Sequence, residues 1–171
     1  EYGMSALGRE RIVEFFCHQN QTPVTIVRLN YAVEMRYGVL VDLTQKVITG
    51  QPIDLTTGYA NVICQGDANA LAIAALADAR VPPLVINVAG AERLDVRKTC
   101  EQIGRLVGKQ VSFIGEPADT AWLSDGRFAH EKYGTPQLRL KQLIDWTVDW
   151  IKRGQPTSDK ATHFEVRSGR F

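Results

Sequence analysis

The sequence predicts an α/β fold organised around a parallel, doubly wound sheet. Two near-continuous apolar runs carry that prediction, Val24-Thr25-Ile26-Val27-Arg28-Leu29 and Leu84-Val85-Ile86-Asn87-Val88. Strands that are apolar on both sides belong in sheets covered above and below, as parallel sheets are. The third observation is the order of elements: segments of helical period alternate with the strands, and no repeat or low-complexity stretch interrupts them.

Each element has its own signal. Met4, Leu7, Ile12, Phe15 and Phe16 form an apolar stripe on a first helix, which Asn20 and Pro23 close. After the first long strand, a helix from Val39 to Thr49 stops at Gly50, a short strand spans Pro52 to Thr56, and an alanine-rich helix runs from Asp67 to Arg80. Asp67 is the expected cap, because its carboxylate accepts from free N–H groups of the first turn, and Pro82-Pro83 forbid continuation. Beyond the second long strand, Asp95 caps a helix whose Val96, Cys100, Ile103 and Val107 share one side and which ends at Gly108. A strand from Gln110 to Ile114 follows, then helices from Ser124 to Tyr133 and from Leu138 to Lys152. The last helix presents Leu140, Leu143, Ile144, Val148 and Ile151 on one side and ends at Gly154. The tail 155–171 is polar, has no period, and is expected to lie on the surface.

Two parallel strands rarely stand alone. The expectation is that residues 1–171 form the C-terminal part of one larger doubly wound domain whose N-terminal strands are missing, and that partners or self-association cover a strand edge.

Composition narrows the function. A chain of 171 residues with 44% hydrophobic and 23% charged residues is ordinary for a globular protein. Its 20 basic and 19 acidic residues are mixed along the chain, which recommends neither nucleic acid nor a membrane as partner. Cys17, Cys64 and Cys100 are odd in number and widely spaced, so they read as packed thiols of a reducing, cytoplasmic compartment. His18, His130 and His163 lack metal-ligand spacing; they read as surface residues, and no metal is expected. Neither Gly-x-Ser-x-Gly nor Gly-x-x-x-x-Gly-Lys occurs, which removes the common hydrolase and triphosphatase signatures. Trp146 and Trp150 read as packing residues.

Chemistry concentrates at the start of the chain. Tyr2 and Ala6 stand one helical turn apart and so share a face. Tyr2-Gly3-Met4-Ser5-Ala6-Leu7 with Glu10 resembles a Tyr-x-x-x-Lys helix, and Val24 to Asn30 the strand that follows it. Asn61-Val62 with Asp67-Ala68 resembles a His-Val-x-Asp-Val-Ala segment, and Ile86-Asn87-Val88-Ala89-Gly90 a Tyr-Asn-Val-Gly strand. In this order, over residues 1–153, the motifs resemble the C-terminal half of an extended short-chain dehydrogenase/reductase, the NAD-dependent epimerase/dehydratase family. The resemblance implies a Rossmann-like sheet with a small α/β substrate-binding subdomain, its elements around 30–66 and 92–153. It implies NAD or NADP in the full-length protein, bound mainly upstream of Glu1, with none expected on this piece alone. It also implies a homodimer, a small-molecule substrate, and Tyr2 as general acid/base.

The family's tyrosine is helped by a lysine one turn later, and Ala6 stands in that place. A nearby cation lowers an acid's pKa by roughly 1 to 3 units, so its loss costs about 1.4 to 4 kcal/mol in forming phenolate. Arg9 lies two turns along, roughly 10 Å in rise, too far to replace it directly. Arg9 and Arg11 read instead as solvated charges pairing with Glu10 or Glu14. The substrate side is expected beyond the C-terminal strand ends, at Asn30, Tyr31 and Arg36. Asn30 reads equally as a residue satisfying backbone groups at the strand end. Many sugar-nucleotide members carry Arg-Pro-Gly-Asp before the penultimate helix, where this chain has Glu116-Pro117-Ala118-Asp119. A carboxylate there repels phosphate, which tells against a nucleotide-sugar substrate unless Arg93 or Arg127 compensates. A non-catalytic relative serving as a binding or regulatory module is the alternative, motivated by Ala6.

Overall fold

The computed structural model describes residues 2–158, 160 and 162–167, with Tyr2 by its backbone alone. In chain order the elements are α1 (Tyr2–Asn20), β1 (Thr25–Leu29), β2 (Ala32–Val33), α2 (Val39–Thr49), β3 (Ile53–Asp54), β4 (Tyr59–Ala60) and β5 (Ile63–Cys64). Then come α3 (Gln65–Ala74), which tightens into a 3-10 turn (Ala75–Asp78), β6 (Leu84–Val88), β7 (Leu94–Asp95), α4 (Val96–Val107), β8 (Phe113–Ile114), α5 (Arg127–Tyr133) and α6 (Leu140–Lys152). The α/β class is as the sequence predicts.

The two long apolar runs are paired strands. β1 lies parallel to β6 with Thr25 opposite Leu84 and Leu29 opposite Val88. The remaining pairings are two residues long: β2 with β5 and β3 with β8 are parallel, and β4 with β7 is antiparallel. Sequence periodicity did not mark β2, β4, β5 or β7, because two residues carry no period.

The expected burial on both faces does not hold: β6 buries one face while Val85 on the other is 42% exposed, and no residue of β1 is fully buried. Leu84, Ile86 and Val88 are buried against Ala68, Leu71 and Ala75 of α3 and the 3-10 turn. On β1, Val27, Arg28 and Leu29 are exposed, Leu29 at 54%. Among the described strands β1 pairs with β6 alone, so its other edge is open.

The main core lies between α2, α4 and α6, where Leu40, Leu43, Cys100, Ile103, Leu143 and Ile144 meet. Burying each such side chain contributes about 1.5–3 kcal/mol. The predicted bounds of α2 and α4 hold, since Gly50 and Gly108 end them in the left-handed conformation and Asp95 Oδ1 accepts from the Lys98 N–H at 3.0 Å.

Three expectations need correction. The Met4–Phe16 stripe of α1 is not its packed face: Met4, Ile12, Phe15 and Phe16 are exposed, and α1 turns the half-buried Ala6 and Glu10 and the buried Cys17 inward. Those residues also recur at helical spacing, but Ala and Glu give no apolar signal. Helix α3 begins two residues before Asp67, with Cys64 in the capping position. Asp67 instead accepts from the Leu138 N–H at 3.0 Å, fixing the approach to α6. The tail is not a free surface arm: Phe164 is 2% exposed and belongs to the main core. One aromatic ring in a polar stretch anchors the segment, and such an isolated anchor has no period to find. The remainder of the expected tail, residues 159, 161 and 168–171, lies outside the described residues.

Candidate functional site

The C-terminal ends of β1 and β6 converge on a polar cluster. The Asn30 N–H donates to the Val88 carbonyl at 2.9 Å, closing the strand pair. Its Nδ2 donates to Asn61 Oδ1 at 2.6 Å and to the Asn61 carbonyl at 3.2 Å. Asn61 is 8% exposed, and its Nδ2 donates to the carbonyls of Gly90 at 3.0 Å and Ser124 at 2.8 Å. The Ser124 N–H returns a bond to Asn61 Oδ1 at 3.1 Å. One amide thus ties together the end of β1, the turn after β6 and the loop before α5.

Neighbouring polar contacts extend this cluster. Asn87 Nδ2 donates to the Asp125 carbonyl at 3.2 Å, and His130 Nε2 lies 2.9 Å from the Ala89 carbonyl, so His130 is a half-buried contact and not a surface residue. Gly90 is required by space: a Cβ there would lie 1.9 Å from the Val62 carbonyl oxygen. Asp125 and Arg127 face solvent as a pair, and the hydrogen bonds from Arg127 hold the Asp125 carboxyl down at about 2.

The predicted site residues separate in space. Asn30 sits in the cluster, and among the described residues its Oδ1 accepts no hydrogen bond. Tyr31 packs against the main core, and burial pushes its phenol above the usual range. Arg36 is exposed, pairs with Glu34 at 3.0 Å, and lines a separate cavity of about 560 Å³ between α2 and the tail. Tyr2 opens α1, and its side chain lies outside the described residues. Arg93 and Arg127 are each engaged, Arg93 over the Tyr59 ring at 4.6 Å and Arg127 on Asp125. Arg11 pairs with Glu14 at 2.7 Å as expected, whereas Glu10 pairs across to Arg28 at 2.7 Å.

Sequence reasoning noted Asn61 only as part of a motif. The signal available was an amide inside the short apolar run Tyr59-Ala60-Asn61-Val62-Ile63, since a polar residue buried there must find partners.

A groove of about 580 Å³ runs along the open edge of β1, lined by Ala6, Arg9, Glu10, Val13 and residues of β1. A dinucleotide needs a glycine-rich turn from a strand into a helix N-terminus. Among the described residues no strand leads into such a turn. No helix among the described residues is long and apolar enough to cross a membrane.

No family model and no curated protein matches the sequence. The fold does match solved structures. UDP-glucuronic acid 4-epimerase from Bacillus cereus, in complex with NAD, superposes with a TM-score of 0.74 at 20% identity over 89% of this chain and 51% of that one. UDP-glucose 4-epimerase from Thermotoga maritima gives 0.70 at 17% over 90% and 53%. The dTDP-glucose 4,6-dehydratase from Bacillus anthracis, in complex with NAD, gives 0.67 at 18% over 84% and 49%. The chain therefore has a Rossmann-like α/β fold shared with sugar-nucleotide epimerases and dehydratases. It spans about half the length of each.

Proposed function

We propose that this chain is the C-terminal portion of an NAD(P)-dependent epimerase, dehydratase or reductase acting on a sugar-like or other hydroxyl or keto small molecule. The observation that supports this reading best is the amide cluster at the C-terminal ends of the parallel pair β1 and β6, in a fold shared with such enzymes. Asn30 is the residue of that cluster placed to meet substrate. Its Oδ1 suits a hydroxyl donor, which a neutral amide accepts at no cost in charge burial. Tyr31, packed on the main core, and Arg36, in a separate cavity, are assigned only indirect substrate parts. Tyr2 is the general acid/base, moving a proton between its phenol oxygen and a substrate oxygen, and Ala6 leaves the phenolate without a lysine. NAD or NADP belongs mainly to sequence upstream of Glu1. The assembly is a homodimer in the cytoplasm.

Titrating NAD into this chain and into the longer protein tests the reading. Binding by the longer protein alone is the expected result, and tight binding by residues 1–171 alone would refute it. Ala6, lining the groove one turn from Tyr2, favours a second reading, a non-catalytic binding or regulatory module. Replacing Ala6 by lysine in the longer protein separates the two: a gain in turnover supports the enzyme, and no turnover with either residue supports the module.

A further inference from the structure

The loop before α5 is held from two sides. At its far end the Ser124 N–H and carbonyl join the Asn61 amide, and Asn61 holds Asn30. At its near end it is gripped by the tail. Arg167 Nη2 donates to the Thr120 carbonyl at 3.0 Å and to Thr120 Oγ1, and its guanidinium lies 5.7 Å from the centre of the Trp122 ring. Among the described residues, Arg167 Nη1 is shielded from water without a hydrogen-bond partner. A guanidinium sunk in this way is not a free surface cation.

The tail can transmit this grip because it is itself fixed. The Ser158 N–H donates to the Arg36 carbonyl at 2.9 Å, and the Thr162 N–H to Asp42 Oδ2 at 3.0 Å. Lys46 pairs with Glu165, and Phe164 is buried in the main core three residues before Arg167. These ties anchor the segment on α2 and leave Arg167 to reach the loop.

We propose that the described residues of the tail, 155–158, 160 and 162–167, form a strap and that Arg167 is a positioning residue of the candidate site. By clamping Thr120 and Trp122 it holds the loop through Ser124 against Asn61, and so sets the orientation of the Asn30 amide. That Asn30 meets substrate rests on the reading above; the coupling from Arg167 to Asn61 does not, and it is tested without any ligand.

The test is amide exchange and side-chain amide NMR on the full 171-residue chain. Arg167→Ala should raise exchange at the Ser124 amide by about tenfold and shift the Asn30 and Asn61 side-chain resonances, the scale expected for losing a charge-assisted double contact. Exchange in α2, α4 and α6 should stay unchanged. Arg167→Lys keeps the charge but not the planar fork or the stacking, so it should retain most of the effect. Thr120→Ala removes part of the grip from the loop side and should give the same pattern at smaller size, which covers the case in which Arg167→Ala does not fold. Unchanged Ser124 and Asn61 signals would overturn the proposal. So would a uniform rise across α2, α4 and α6, which would make the strap only a general stabiliser, or full rescue by lysine.

Discussion

Asn61 shows how one side chain decides local geometry. Its amide satisfies the Gly90 and Ser124 carbonyls and receives Asn30 and the Ser124 N–H. Asn61→Ala leaves buried polar groups without partners, each costing about 1–3 kcal/mol. We expect a loss of about 3 kcal/mol in denaturant unfolding, read as a lower midpoint at unchanged slope. Cys100 makes the opposite point, a titratable group that packing silences. Burial pushes its thiol up to about 12. Because the folded value lies above the unfolded one, its contribution to stability is complete below the ordinary thiol range near 8.5 and is lost as pH rises toward 12. Alkylation at pH 8 should therefore spare Cys100 until the chain unfolds, which mass spectrometry of the labelled protein checks. Burial of Cys17 and Cys100 was legible in the sequence as packed thiols. The role of Asn61 was not, since its partners come from positions 30, 90 and 124.

At the scale of elements, the ends of α2 and α4 were the most legible feature. Gly50, Gly108 and Gly154 act through their own backbone and Asp95 through its carboxylate, each within one turn, so local sequence suffices to place them. The faces of helices were less legible where packing is made by small or polar residues, as on α1. The placement of tail residues 162–167 was least legible, because it comes from Phe164 and from ties to α2. Phe164→Ala should cost about 3–5 kcal/mol, the range for emptying an aromatic site in a core. Limited proteolysis of that variant should cut within the tail before it cuts α2 or α4. Cleavage first inside α2 would show that the tail does not depend on this anchor.

At the scale of the whole molecule, apolar surface gathers where the fold is open. Leu29 on β1, Val85 on β6, and Ile12, Phe15 and Phe16 on α1 are 42–61% exposed. Such surface favours association, and an open strand edge adds unpaired backbone groups. Light scattering should show association that grows with concentration, and Phe16→Glu should weaken it at least tenfold while leaving the circular dichroism spectrum unchanged. A strict monomer at every concentration would count against the homodimer. The sequence by itself determined the α/β class, the two long strands, the ends of α2 and α4 and the thiol state, because each depends on neighbours within a turn or on apolar run length. Only the tertiary structure decided which side of α1 packs, that Asn30 joins Asn61 while Arg36 stands apart, and that the tail reaches the loop before α5. Those outcomes rest on contacts between residues tens of positions apart, and no local period encodes such a contact.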